Sequence, residues 1–160
     1  MFTFSILILL VAALVAQMYQ VSRRAPDFII GGAANPQIKR WWVIQRNRFG
    51  NVYLHHILRS DDDRALHDHP WFNVSIVLRG GYLEVTPAGR YWRGRGSIVF
   101  RRATASHRLE LPDINQPCWT LFITGPVVRN WGFHCPKRWV PWQEFVDARD
   151  TGAVGRGCGE

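Results

Sequence analysis

His67 and His69 stand one residue apart in the stretch HDHPWFN, residues 67–73. Side chains alternate faces along a strand, so the two imidazoles project to the same side and can grip one ion together. A third imidazole, His107, opens another β-prone run further on, where closure of a barrel brings it opposite the pair. Three neutral imidazoles suit iron, zinc, nickel, copper or manganese and leave positions open for water or substrate. Four places after His69 comes Asn73, an amide where a metal would gain more from a carboxylate. An ion held by neutral ligands keeps its full double charge and attracts an anion. The expected partner is therefore a small anionic molecule.

Other residues could extend such a site. His55 and His56 are adjacent in a strand, so one faces inward and one outward, and His55 is carried as a substrate or supporting residue. His134 sits in WGFHCPKRWVPW, residues 131–142, a segment dense in Trp and Pro that should cap the barrel, and it is an acid or base candidate in the mouth. Within Asp61-Asp62-Asp63-Arg64 an Asp could hold the second nitrogen of a ligating His. That run lacks the Gly and Glu of a calcium loop.

Positioning these groups falls to short β-prone runs separated by Gly, Pro, Asn and Asp, a rhythm that predicts an antiparallel sandwich or barrel. Strands are expected near 41–48, 52–59, 71–78, 81–86, 90–94, 97–101, 106–111, 118–124 and 129–134. Turns fall at Gly50-Asn51, Gly80-Gly81, Pro87-Ala88-Gly89 and between Pro112 and Gln116. Only Pro141 to Asp150 reads as helix within the body, opened by a proline whose missing amide hydrogen costs nothing there.

Ahead of the body, Phe2 to Met18 carries no charge and is long enough as a helix to cross a hydrocarbon layer of about 30 Å. The organisation expected is an anchor over 2–19, an extended linker over 20–38, a β-barrel over 39–150 and a loose Gly-rich tail over 151–160. Arg23 and Arg24 follow the apolar run and nothing basic precedes it, so the positive-inside bias puts a single-pass protein's barrel in the cytoplasm. A signal peptide fits less well, for want of a basic start and a small-x-small cleavage site. Cys118, Cys135 and Cys158 form an odd set without C-x-x-C spacing, which argues against a disulfide framework and for a reducing compartment. The net charge of +8 is spread along the chain as Arg, which suits anionic partners. Nucleic acid is not expected, since no basic stripe is interleaved with aromatics for stacking. A homodimer is compatible with everything read so far.

The spacing resembles the cupin superfamily. His67 to Gly80 is similar to its first motif, G-x5-H-x-H-x3-4-E-x6-G, and Gly96 to His107 to its second, G-x5-P-x-G-x2-H-x3-N. His67, His69, Gly80, Gly96 and His107 match. Asp61, Asn73, Arg102, Thr104 and Leu111 stand where the family has Gly, Glu, Pro, Gly and Asn. The resemblance covers roughly Trp41 to Gly125 and implies an all-β double-stranded β-helix, a jelly-roll-like barrel with a metal in its mouth, behind one N-terminal hydrophobic helix. It implies His67, His69 and His107 as ligands of a divalent metal and places Arg102 at the mouth, where a guanidinium would suit a carboxylate or phosphate. Three-histidine cupins include dioxygenases of thiols and diketones that use ferrous iron, so Fe(II) is favoured over Mn, Ni or Zn. The leading expectation is a membrane-anchored non-haem metal dioxygenase acting on a small anionic substrate. The alternative is a non-catalytic module that binds or senses a small ligand.

Overall fold

The computed structural model describes residues 2–61, 65–149 and 153–159. Among the described residues one long helix, α1 (Phe2–Ser22), precedes twelve strands and a single helical turn. The strands are β1 (Phe28–Ile30), β2 (Ile38–Trp42), β3 (Asn51–Ile57), β4 (Leu66–His67), β5 (Asn73–Arg79), β6 (Gly81–Thr86), β7 (Gly89–Gly94), β8 (Ile98–Arg101), β9 (Arg108–Glu110), β10 (Cys118–Thr124), β11 (Gly132–His134) and β12 (Trp139–Pro141). The helical turn, α2, spans Trp142–Phe145.

Six strands form one antiparallel layer in the order β1-β2-β3-β10-β5-β8. Two three-stranded sheets run in the orders β12-β11-β4 and β7-β6-β9. An isolated bridge between His67 and His107 joins them, giving a second layer in the order β12-β11-β4-β9-β6-β7. The tight turn between β5 and β6 depends on Gly80, whose φ is +72° and where a Cβ would stand 2.5 Å from the Pro117 carbonyl oxygen.

Both faces of the large sheet are apolar over much of their area. Trp41, Leu54, Leu121, Ile76 and Ile98 lie in register across β2, β3, β10, β5 and β8 on the outer face. Leu14, Met18 and Val21, one stripe of α1, pack on that face against Trp41, Val43, Leu54 and Leu121. Inward, the neighbouring register row carries Arg40, His55, Thr120 and Val77, and the next Trp42, Tyr53, Phe122 and Ser75.

Several expectations change. The segment expected to be a linker contains β1, which pairs with β2, and it is tied down where Trp41 Nε1 donates to the Arg24 carbonyl. Fraying is prevented because those backbone groups find sheet partners. The helix expected over 141–150 is one turn, because Val146 is already extended and bridges Val154. The described part of the tail, 153–159, is tied down: Cys158 is disulfide-bonded to Cys135, and the amides of Gly155 and Gly157 donate to the Phe145 carbonyl. The inference from unpaired cysteines to a reducing compartment falls with that pair, since only folding brought the two thiols together. Cys118 is the free, buried thiol among the described residues, and burial pushes it up to about 12.

Candidate metal centre

β4 is too short to be held by β11 alone, yet its end must place two imidazoles. The backbone solves this by pairing His67 with His107 through reciprocal amide-to-carbonyl hydrogen bonds of 2.9 Å each. His69 follows, its amide donating to the Ala103 carbonyl at 3.1 Å and its ring stacked on Trp71 at 4.8 Å. One nitrogen from each of His67, His69 and His107 lies within 4.8 Å of the others. The Nε2 atoms of His69 and His107 are 2.9 Å apart.

Burial lowers all three imidazoles, His69 well below its usual range; His107 falls to about 3 although its bond to Glu84 pulls the other way. They are neutral at physiological pH, the form that binds a metal. Glu84 Oε1 lies 3.0 Å from His107 Nδ1. A carboxylate there fixes the ring proton on Nδ1 and turns the Nε2 lone pair toward His69. Two nitrogens bound to one ion at about 2.1 Å stand roughly 3 Å apart, so the observed spacing suits a shared ion. The residues fit a divalent transition metal.

Behind the imidazoles lies a buried ionic network. Arg101 donates from Nε to Glu84 Oε1 at 2.5 Å, from Nη1 to Ser75 Oγ at 3.0 Å and Asn73 Oδ1 at 3.2 Å, and from Nη2 to the Tyr82 hydroxyl at 3.2 Å. Arg93 adds a 2.7 Å bond to Glu84. Burial by itself would raise the Glu84 carboxyl, but the bonds from His107, Arg101 and Arg93 together with the Arg101 charge hold it well below the usual carboxylate range. Asn73, fully buried, thus uses its carbonyl oxygen on Arg101; its Nδ2 has no hydrogen-bond partner among the described residues.

The other sequence candidates separate. His55 is buried on the inner face, accepts a 2.8 Å bond from Arg40 Nε and stacks on Phe122. Arg102 is exposed and does not line the cavity, which corrects its expected place at the mouth; the β5–β8 register sets its neighbour Arg101 opposite Asn73 on the inner face, where its donors are spent on buried partners. His134 faces away from the mouth: its neighbour Phe133 lines the cavity, while its own Nε2 lies 3.1 Å from Asp68 Oδ2. Asp68, between the two ligands and pointing the opposite way, also accepts from Gly132 N, Trp139 Nε1 and Arg129. Asp61 stands 3.8 Å from His67 Nδ1, while Asp62 and Asp63 lie outside the described residues.

Sequence reading missed Glu84, Arg101 and Arg40. Glu84 carried a signal: it shares a face with Tyr82 in the strand GYLEVT, where alternation puts both inside. The cavity that holds the cluster is about 680 Å³ and is walled by Trp71, Phe122, Trp131 and Phe133 among others.

No protein-family model and no curated protein sequence matches this chain. Its structure is similar to that of the polyketide cyclase RemF from Streptomyces resistomycificus, with 17% identity over 64% of this chain and 72% of that one, at a TM-score of 0.51. A putative mannose-6-phosphate isomerase from Ralstonia eutropha JMP134 aligns at a TM-score of 0.52, with 14% identity over 63% of this chain and 93% of that one. A sugar phosphate isomerase from a cupin superfamily of Silicibacter pomeroyi DSS-3 aligns at 0.49, with 11% identity over 66% and 75% of the two chains. The chain has the cupin fold. Identities this low speak to architecture alone. Within this fold His67, His69 and His107 are the histidines that the barrel brings together, and α1 is long and apolar enough to cross a membrane, a property that signal sequences and core helices share.

Proposed function

We propose that this cupin is a non-haem metal dioxygenase that acts on a small anionic substrate, with ferrous iron on His67, His69 and His107. The observation that carries the reading is the convergence of three neutral imidazoles with no carboxylate joining the cluster among the described residues. Iron bound there would supply redox chemistry toward O₂ and a net positive charge toward an anion. Glu84 keeps the proton on His107 Nδ1, and Arg101 keeps Glu84 ionised. The aromatic wall limits bulk water around the reacting groups.

The carboxylates near the cluster are engaged, Glu84 by His107 and two arginines, Asp61 by Gln37 Nε2 and the Leu109 amide. A reaction that needs a free protein base is less well served than one in which O₂ is the reagent. The same engagement suits a second reading, a binding or sensing module without turnover. Full chain purified without chelator or histidine tag, loaded anaerobically with Fe(II), should consume O₂ on a panel of thiol, diketone and aromatic acids. Loss of uptake in His107→Ala supports the enzyme. Tight iron binding with no uptake across the panel supports the module.

Attachment to a membrane through α1 belongs to the same proposal; Phe4 and Ile6 to Val11 are exposed and apolar. Arg23 and Arg24 favour a cytoplasmic barrel, whereas Cys135–Cys158 favours an oxidising compartment. Protease added to intact cells reads the sidedness: a spared barrel supports the arginines and a cleaved one the disulfide.

A further inference from the structure

Arg40 projects from β2 into the cavity, on the same inner face as His55. Its Nε donates to His55 Nε2 at 2.8 Å, and its guanidinium lies 4.9 Å from the centre of the Tyr53 ring. No carboxylate pairs with it among the described residues. Asp61, which also lines the cavity, spends its oxygens on Gln37 and the Leu109 amide. Arg46, at the exposed rim of the same cavity, adds a second positive charge, and burial with that like charge lowers Arg40 to about 10, so it stays charged at neutral pH. A half-buried cation without an acid partner among the described residues is costly unless something supplies the missing charge.

Much of the remaining wall is apolar, interrupted by polar groups such as Gln37, Ser75 and Thr120. Phe122 lies between the two poles, its ring 4.9 Å from His55 and 6.2 Å from His69. Trp71, Trp131 and Trp142 continue the wall. At about 680 Å³ the space is far larger than a small hydrophilic anion needs, and within the usual range for drug-sized ligands.

We infer that the cavity binds an amphiphilic organic acid, its carboxylate on the Arg40 guanidinium and its flat apolar body against Phe122 and the tryptophans, with the far end at the histidine cluster. The placement of that far end rests on the metal-centre reading; the acid pole does not.

The test uses metal-free full chain in detergent, so that no ion can supply the positive charge. Quenching of tryptophan fluorescence would follow binding of 2-naphthoate, 2-naphthamide and acetate, with free tryptophan in the same micelles as the partitioning control. Naphthoate should bind at least tenfold more tightly than the isosteric amide, and acetate at least tenfold more weakly than naphthoate. Arg40→Gln should erase the preference for acid over amide while amide binding stays within about threefold, and Arg40→Lys should restore part of it. Equal affinity for acid and amide in the unaltered protein overturns the inference without reference to any variant. So does an acid preference that survives Arg40→Gln. Neither result touches the metal centre, which stands or falls on iron binding and oxygen uptake.

Discussion

His67 and His107, forty residues apart in the chain, exchange both backbone hydrogen bonds, each 2.9 Å. Their bridge is also where two three-stranded sheets become one layer. Two of the three candidate ligands are thus placed by backbone pairing, and the third by the Ala103 carbonyl two residues on. A site built this way does not wait for the ion to assemble it.

Metal-free protein should therefore keep its fold. Removing metal with a chelator should leave the far-ultraviolet circular dichroism unchanged, and returning it should raise the unfolding free energy only by the mass-action amount, about 2.7 kcal/mol at a hundredfold excess over Kd. Unfolding on chelation would show that the ion, and not the bridge, organises the mouth.

Arg101 and Arg102 are neighbours with opposite environments. Arg101→Ala leaves Glu84 buried beside a single remaining arginine, and should cost about 3–5 kcal/mol by urea denaturation. Arg102→Ala should stay within about 0.5 kcal/mol, as an exposed side chain does. Equal effects would mean that the β5–β8 register is off by one residue.

Glu84→Gln keeps the shape of the side chain but removes the charge that orients His107. Metal affinity should fall about 10- to 100-fold, measured by competition with a chromophoric chelator. Unchanged affinity would show that the carboxylate serves Arg101 alone.

His56 stacks on Trp119 at 4.1 Å, and burial, with Lys39 and Arg79 nearby, lowers it from 6.5 to about 4. The unfolded chain takes up this proton first as pH falls, so the metal-free protein should be fully stable above about pH 6.5 and lose stability progressively between 6.5 and 4. His56→Phe, which preserves the stack, should make the urea midpoint less sensitive to pH across that window. An unaltered pH profile would show that His56 is not protonated differently in the two states.

Cys135 and Cys158 close a loop with a sequence separation of 23. Cys158→Ser should lower stability by about 3 kcal/mol, and mass spectrometry of the unaltered protein should find both thiols resistant to alkylation until reduced. Free alkylation without reductant would remove the disulfide from the account of the tail.

Much of this was legible in the chain. The H-x-H spacing announces two imidazoles on one side because alternation in a strand is a local property, and the distance from Gly96 to His107 marks the third imidazole because motif spacing reflects strand and turn lengths. Most strands were marked by β-prone runs between turn residues, and α1 by an unbroken apolar run, since both are decided by neighbours within a few positions. Tertiary structure alone decided which charge faces which. Glu84, Arg101 and Asn73 meet because three separate strands share one interior, and their charges can be buried together only in that arrangement. Arg40 stands without an acid among the described residues, and Cys135 reaches Cys158, for the same reason: long-range register, set by which faces can be buried, determines contacts that no local pattern records.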